Sequence, residues 1–206
     1  MSSPELFLFL PGIRGEAAFW EPVATQLAGL AATDLLRYPW ASGSGAIEQA
    51  SSLDELVDAV AARITRPTAL VAQSLGGVVA MMVALRKPDL VSHVILATTS
   101  GGVNTGELGV ADWKPAFFEA YPQIPRWLGE QAPDLAAQIP TLTMPALLLW
   151  GDADPISPVV IGERLHTLLP NSELHVVPGG EHDLGLRYAN DVAALIRTLV
   201  GAGEPR

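Results

Sequence analysis

The sequence predicts an α/β domain, a three-layer α/β/α sandwich with a mostly parallel sheet of about six strands. Short apolar runs of strand length alternate with longer segments of helical period. The runs are apolar at nearly every position, which is typical of strands covered by helices on both faces. A chain of 206 residues with 49% hydrophobic and 17% charged residues suits a single domain, residues 1–206, with a sizeable core.

Six apolar runs predict the strands. In chain order they are Leu6–Leu10, Asp34–Tyr38, Thr68–Ala72, Val91–Ala97, Ala146–Trp150 and Leu174–Val177. Pro11-Gly12 follows the first run and Pro145 precedes the fifth, and such residues commonly mark the ends of elements. Ligands of parallel sheets bind at the carboxyl ends of the strands, so the residues just after each run are the candidates for a site.

Helical periodicity predicts the segments between these strands. The predicted helices are Trp20–Leu30, a helix after Ser52, Leu75–Arg86, Val159–Leu169 and Asp191–Val200. Ser52 and Glu55 have the spacing of a capping box, and Gly201 suits a C-terminal cap. The second helix is expected to face the core with Leu56, Val57, Val60 and Ile64.

Residues 100–143, called the aromatic segment below, break this alternation. They contain five prolines and five aromatic residues, namely Trp113, Phe117, Phe118, Tyr121 and Trp127. A crossover of this length is usually functional or carries its own short structure. We predict a short helical lid in which Trp113, Phe117 and Phe118 form an apolar wall of a substrate pocket. The alternative interpretation is a packed helical insertion without a role in binding.

Composition excludes several classes of function. The formal net charge of −10 repels phosphate, so neither nucleic acid nor an anionic membrane is an expected partner. The absence of cysteine excludes disulfide scaffolds and thiolate chemistry and is compatible with a cytoplasmic protein. No apolar run has the length of a membrane span. The sequence leaves the oligomeric state open.

The motif Ala72-Gln73-Ser74-Leu75-Gly76 lies between a predicted strand and a predicted helix. It differs from G-x-S-x-G only by Ala at the first position, and small residues there allow the sharp turn that exposes a nucleophilic serine. The start of the helix would direct its amides toward charge that develops on a substrate oxygen. The alternative is that Ser74 only caps the helix.

A serine nucleophile needs a base, usually a histidine oriented by a carboxylate. Of the four histidines, only His182 follows a strand in a turn, and the other three are better explained by packing or by the surface. Asp152 and Asp154 both follow the fifth strand. Asp154 is the preferred carboxylate because the turn has room to return its side chain over the sheet edge, and Asp152 is the alternative.

Acyl transfer also requires two donors for the oxyanion. The amide of Leu75, directly after the candidate nucleophile, is one of them. The loop after the first strand supplies the other, with Gly12 allowing an unusual turn and Ile13 presenting its amide. The alternative for this loop is an ordinary Pro-Gly turn.

The chain resembles the α/β-hydrolase fold superfamily. Ser74, Asp154 and His182 follow the family's order of nucleophile, acid and histidine, and each lies after a strand. Leu10-Pro11-Gly12 with Trp20 is similar to the family's oxyanion loop, and Gly180-Glu181-His182 to its histidine turn. The family commonly opens with an antiparallel hairpin that has no counterpart here, so the resemblance implies six strands.

The resemblance implies a serine hydrolase of carboxylic esters or thioesters, similar to carboxylesterases. It implies a small or medium apolar acyl or alcohol group, a small-molecule substrate, and no metal or organic cofactor. Because a fold alone does not establish a function, a non-catalytic ligand-binding or partner-binding protein on the same fold is the alternative.

Overall fold

One parallel sheet runs through the computed structural model, which describes residues 3–41, 47, 49–106, 108, 110, 112–129 and 133–201. Its strands are β1 (Leu6–Leu10), β2 (Ala32–Leu35), β3 (Thr68–Gln73), β4 (Val91–Ala97), β5 (Ala146–Gly151) and β6 (Ser172–Val177). They lie in the order β2-β1-β3-β4-β5-β6, and every neighbouring pair is parallel. The predicted sheet and fold class are confirmed.

Helices cover both faces of the sheet. The described residues form α1 (Glu21–Leu27), α2 (Leu53–Ala62), α3 (Leu75–Arg86), α4 (Lys114–Ala120), α5 (Val159–Leu168), α6 (Leu184–Arg187) and α7 (Ala189–Leu199). One core cluster joins α2, α3 and α5 to alternate strand residues such as Leu8. The other joins α1, α6 and α7 to the strand residues between them, such as Phe7 and Phe9. Strand side chains point alternately to the two faces, so both clusters use the same strands.

Two predicted boundaries are wrong near the edge strand β2. The first helix ends at Leu27 rather than Leu30, because Gly29 takes a left-handed φ of 97°. The strand predicted at Asp34–Tyr38 is β2, at Ala32–Leu35. Tyr38 is buried, but its amide donates to the carbonyl of Gly15 at 3.1 Å instead of extending the ladder.

The start of α2 follows the predicted cap with one change. The hydroxyl of Ser52 accepts from the amide of Glu55 at 3.2 Å, as a helix cap requires. The Glu55 carboxylate accepts from the amide and hydroxyl of Ser51, one residue earlier than in a capping box. These bonds lower the pKa of Glu55. The four residues expected to face the core are buried.

The aromatic segment connects β4 to β5 above the carboxyl ends of the strands. Its described residues include α4 and short 3-10 turns at Arg126–Gly129 and Ile139–Thr141. Phe118, Ile124 and Leu128 are buried and form a small apolar cluster apart from the two main ones. In the described ranges no helix combines the length and the hydrophobicity needed to cross a bilayer.

Candidate active site

Ser74 occupies a sharp turn between β3 and α3. Its φ of 53° and ψ of −121° lie in a region that residues with a side chain rarely adopt. Two glycines allow the helix to start this close to the sheet. A Cβ on Gly76 would lie 2.6 Å from the carbonyl oxygens of Leu10 and Pro11, and one on Gly77 would lie 2.4 Å from Thr99.

Hydrogen bonds hold the backbone of Ser74 in this conformation. Its amide donates to the carbonyl of Ala97 at 3.1 Å. Its carbonyl accepts from the amide of Gly77 at 2.9 Å and from the Thr99 hydroxyl at 2.6 Å. Such strain persists only where the surroundings determine it fully, and it is common at functional sites. The turn therefore holds the Ser74 hydroxyl at the carboxyl edge of the sheet.

Asp154 and His182 meet at the same edge. The Nδ1 of His182 lies 2.7 Å from the Oδ2 of Asp154, whose side chain is 0% exposed. The Oδ1 of Asp154 accepts from the amides of Ile156 at 2.8 Å and Ser157 at 3.1 Å. Both oxygens are thus occupied, which fixes the carboxylate and, through it, the imidazole ring.

Asp152 lies in the same turn but contacts a different group. Its Oδ1 accepts from the amide of Gly179 at 2.6 Å and so ties the loop after β5 to the loop after β6. Gly151 allows the two loops to approach, since a Cβ there would lie 2.1 Å from the carbonyl oxygen of Gly180. Of the two candidate carboxylates, Asp154 is the one next to His182.

The other histidines lie away from Ser74. His93 is buried in β4, where burial lowers the pKa of its imidazole. The Nδ1 of His166 lies 2.8 Å from the Ser172 hydroxyl, and His175 lies on the edge strand β6. These contacts fit the packing and surface roles expected for them.

The loop after β1 is fixed by two indoles. Trp20 donates its Nε1 hydrogen to the carbonyl of Leu10 at 3.0 Å, and Trp40 donates to the carbonyl of Ile13 at 2.7 Å. A turn from Gly12 to Gly15 closes the loop through an amide–carbonyl bond of 2.9 Å. Ile13 lines the same cavity as Ser74, Leu75 and His182. The role of Trp40 was not predicted, because Trp40 lies far from this loop in the sequence.

Two cavities open beside Ser74 and His182, and both residues line each of them. The larger has a volume of about 690 Å³ and extends along Val78, Thr98 and Val103. The smaller has a volume of about 290 Å³ and lies between the loop after β1 and the loop after β6. The arrangement can hold a molecule on either side of the Ser74 hydroxyl.

The aromatic segment contributes two of its three predicted wall residues to these cavities. Trp113 lines both, and Phe117 lines the smaller one together with Gly12. Phe118 lines neither, contrary to the prediction. It is 5% exposed and packs against Ile124 and Leu128, because neighbouring residues of α4 point to different sides of the helix.

Polar residues that sequence reasoning missed also line the cavities. Thr99 holds the carbonyl of Ser74 and lines the larger cavity, and Gln73 and Asp183 line the smaller one. Gln73 ends β3, Thr99 follows β4 closely, and Asp183 follows His182, so these positions in the sequence could have identified them as candidates. The described residues contain no cluster of three or more histidines and acidic residues that could hold a metal ion.

Comparisons with known proteins agree with this architecture. A pimeloyl-[acyl-carrier protein] methyl ester esterase of Neisseria meningitidis is 27% identical over 202 residues, which cover 77% of this chain and 79% of that protein. An uncharacterized hydrolase of Bacillus subtilis, YugF, is 29% identical over 150 residues. That match covers 52% of this chain and 55% of YugF, so the shared part is about half of that relative.

Solved structures share the fold at lower identity. An esterase from Thermogutta terrifontis superposes with a TM-score of 0.75 at 20% identity, over 98% of this chain and 91% of that one. An esterase from a Rhodococcus species reaches 0.79 at 17% identity, over 98% and 92%. A model of the alpha/beta hydrolase family matches residues 7–195. With that match and this sheet topology, the chain belongs to the alpha/beta hydrolase family.

Proposed function

We propose that this protein is a serine hydrolase that cleaves a carboxylic ester or thioester through an acyl-enzyme on Ser74. One observation carries the proposal. The 2.7 Å contact between His182 and the buried Asp154 lies beside cavities that Ser74 and His182 both line. Without a function in proton transfer, there is little reason to orient an imidazole in this way next to a strained serine.

Acylation begins when the Ser74 oxygen attacks the carbonyl carbon of the ester. The Nε2 of His182 accepts the serine proton, while Asp154 binds Nδ1 and stabilises the imidazolium. The amides of Ile13 and Leu75 hold the negative charge of the tetrahedral intermediate. The bond to the leaving alcohol then breaks, and His182 gives its proton to that alcohol.

Deacylation repeats these steps with water. His182 removes a proton from the water, the resulting hydroxide attacks the acyl carbon, and the bond to Ser74 breaks. The proton returns from His182 to the Ser74 oxygen. The base and each oxyanion donor contribute factors on the order of 10²–10⁴ to the rate in enzymes of this type.

The cavity lining supports a substrate with small or medium apolar groups. Trp113 and Phe117 give the smaller cavity an aromatic wall, and Val78 and Val103 give the larger one an aliphatic wall. The name of the Neisseria relative, a methyl ester esterase, supports an ester with a small alcohol. The aromatic segment would act as a short lid over this site.

Covalent labelling tests the proposal against a non-catalytic binding protein. The wild type should react with a fluorophosphonate probe and hydrolyse p-nitrophenyl esters of short acids, while Ser74→Ala should do neither. Asp152→Asn, which removes a carboxylate outside the cavities, is the control for folding and should still be labelled. Absence of both labelling and turnover in the wild type would favour the binding protein.

A further inference from the structure

The smaller cavity is mainly apolar but contains two polar side chains that have no hydrogen-bond partner among the described residues. Phe19, Phe117 and Ile156 form much of its wall. Gln73 and Asp183 also line it. A polar group removed from water without a hydrogen bond costs stability, so such groups commonly serve a ligand.

Gln73 is the better enclosed of the two. The residue is 6% exposed and precedes Ser74 directly. No hydrogen bond joins its carboxamide to any of the described residues, and the group still borders the cavity. Its Oε1 rests against Gly12, where an added Cβ would lie 2.3 Å away. The carboxamide therefore lies between the loop after β1 and the cavity, where it can offer both a donor and an acceptor.

Asp183 faces the same cavity from the next residue after His182. Its Oδ1 is shielded from solvent and has no hydrogen-bond partner in the described part of the chain. Asp183 precedes α6, but its side chain does not cap that helix. Arg14, the cation at this cavity, has its own partner in Glu16, 2.9 Å away. The carboxylate of Asp183 is therefore available to a donor that enters the cavity.

We propose that the smaller cavity binds the leaving alcohol of the ester, and that Gln73 and Asp183 select alcohols that carry a second hydrogen-bond donor. This inference rests on the proposed function. Asp183 and Leu186 line this cavity and not the larger one, so more of the loop after His182 faces this side, although His182 itself lines both cavities. His182 is the group that must protonate the departing oxygen. The acyl group then occupies the larger cavity.

Two kinds of alcohol meet this description, a diol and an amino alcohol. A hydroxyl can donate to Asp183 or bond with Gln73, and a protonated amine can donate to Asp183 with a favourable charge. The aromatic rings of Trp113, Phe117 and Phe19 would also accommodate a cation. Both kinds of alcohol carry a second hydrogen-bond donor, and they differ in charge.

Three butyrate esters separate these possibilities, namely the propyl and 2-hydroxyethyl esters, which match in size, and the larger 2-(dimethylamino)ethyl ester. The wild-type kcat/KM should be roughly tenfold higher for at least one donor-bearing ester than for the propyl ester, the size expected for one hydrogen bond in an enclosed site. Gln73→Leu should reduce the preference for the hydroxyethyl ester severalfold. Asp183→Asn should reduce the preference for the amino ester most.

Thr98→Val is the matched control, because Thr98 lines the larger cavity and not the smaller one, and its buried hydroxyl also lacks a partner among the described residues. This variant should keep the preference among the three alcohols. If Gln73→Leu does not fold, Asp183→Asn decides the outcome, through the ratio of its kcat/KM for the amino ester to its kcat/KM for the propyl ester.

Three results would overturn the inference while the proposed function stands. The first is equal kcat/KM for all three esters in a wild type that hydrolyses them. The second is a preference among the alcohols that neither variant alters. The third is a pair of variants that change selectivity for a hydroxylated acyl group instead of the alcohol. A wild type that hydrolyses none of the esters and is not labelled by fluorophosphonate would overturn the proposed function itself.

Discussion

The proposed catalytic rim and the aromatic segment both border the two cavities, but they are built in different ways. The rim, meaning Ser74, Asp154, His182 and the loop at Gly12–Ile13, depends on backbone contacts. Glycines at 76 and 151 leave no space for a Cβ, and amides bind the Asp154 carboxylate. In the aromatic segment, contacts between rings dominate. The ring centroid of Phe117 lies 5.5 Å from that of Trp113 and 4.9 Å from that of Tyr121.

This difference separates two requirements on a hydrolase. Proton transfer depends on distances held within fractions of an ångström, and hydrogen-bonded backbone provides that precision. A cavity wall only needs suitable shape and hydrophobicity, and packed rings tolerate replacement by other apolar groups. Substitutions in the rim should therefore change the rate, and those in the aromatic segment should change selectivity or stability.

The largest expected effect is that of Asp154→Asn. Loss of the charge that orients His182 should lower kcat by a factor on the order of 10²–10⁴, because the wrong tautomer is held next to Ser74. Asp152→Asn should lower kcat far less, because the Asp152 carboxylate accepts from the Gly179 amide and Asp154, not Asp152, lies next to His182. Steady-state kinetics on a p-nitrophenyl ester measure both. Equal losses, or a larger loss for Asp152→Asn, would contradict the assignment of the acid.

The next prediction compares Phe118 of α4 with Trp113, the residue directly before that helix. Phe118→Ala should lower the free energy of unfolding by about 3 kcal/mol, since it empties a buried ring position, and should leave selectivity unchanged. Trp113→Ala should shift the preference among ester chain lengths severalfold, because Trp113 lines both cavities. Urea denaturation and a panel of esters test the pair. If Trp113→Ala affects only stability, the aromatic segment is packing and not a pocket wall.

The smallest expected effect concerns strain in the rim. Ser74→Gly should be more stable than Ser74→Ala by about 1 kcal/mol, because glycine adopts a φ of 53° without the cost that a Cβ brings. Both variants lack the hydroxyl, so the difference in melting temperature reports the strain of a Cβ in the folded turn less the extra freedom of glycine in the unfolded chain. A Ser74→Gly variant that melts below Ser74→Ala would show that the turn is unstrained.

Much of the fold followed from local patterns. The predicted helix Leu75–Arg86 and the strands Leu6–Leu10 and Val91–Ala97 have the observed limits, because their apolar residues are continuous and their ends carry Gly, Pro or a turn. The errors at Trp20–Leu30 and Asp34–Tyr38 occurred at an edge strand. There the pairing of Tyr38 with Gly15, and not the hydrophobic pattern, determines the end of the ladder.

The sequence by itself determined the alternation of strands and helices and the strand ends at which Ser74, Asp154 and His182 lie. Side-chain periodicity and turn residues act over a few neighbouring positions, so the sequence alone is enough to predict the elements that depend on them. Only the tertiary structure decided that Asp154 rather than Asp152 reaches His182, that Phe118 turns away from the cavities, and that Gln73 rests on Gly12. Contacts of a few ångströms between distant segments depend on how the loops converge in space. No local pattern in the sequence determines that convergence.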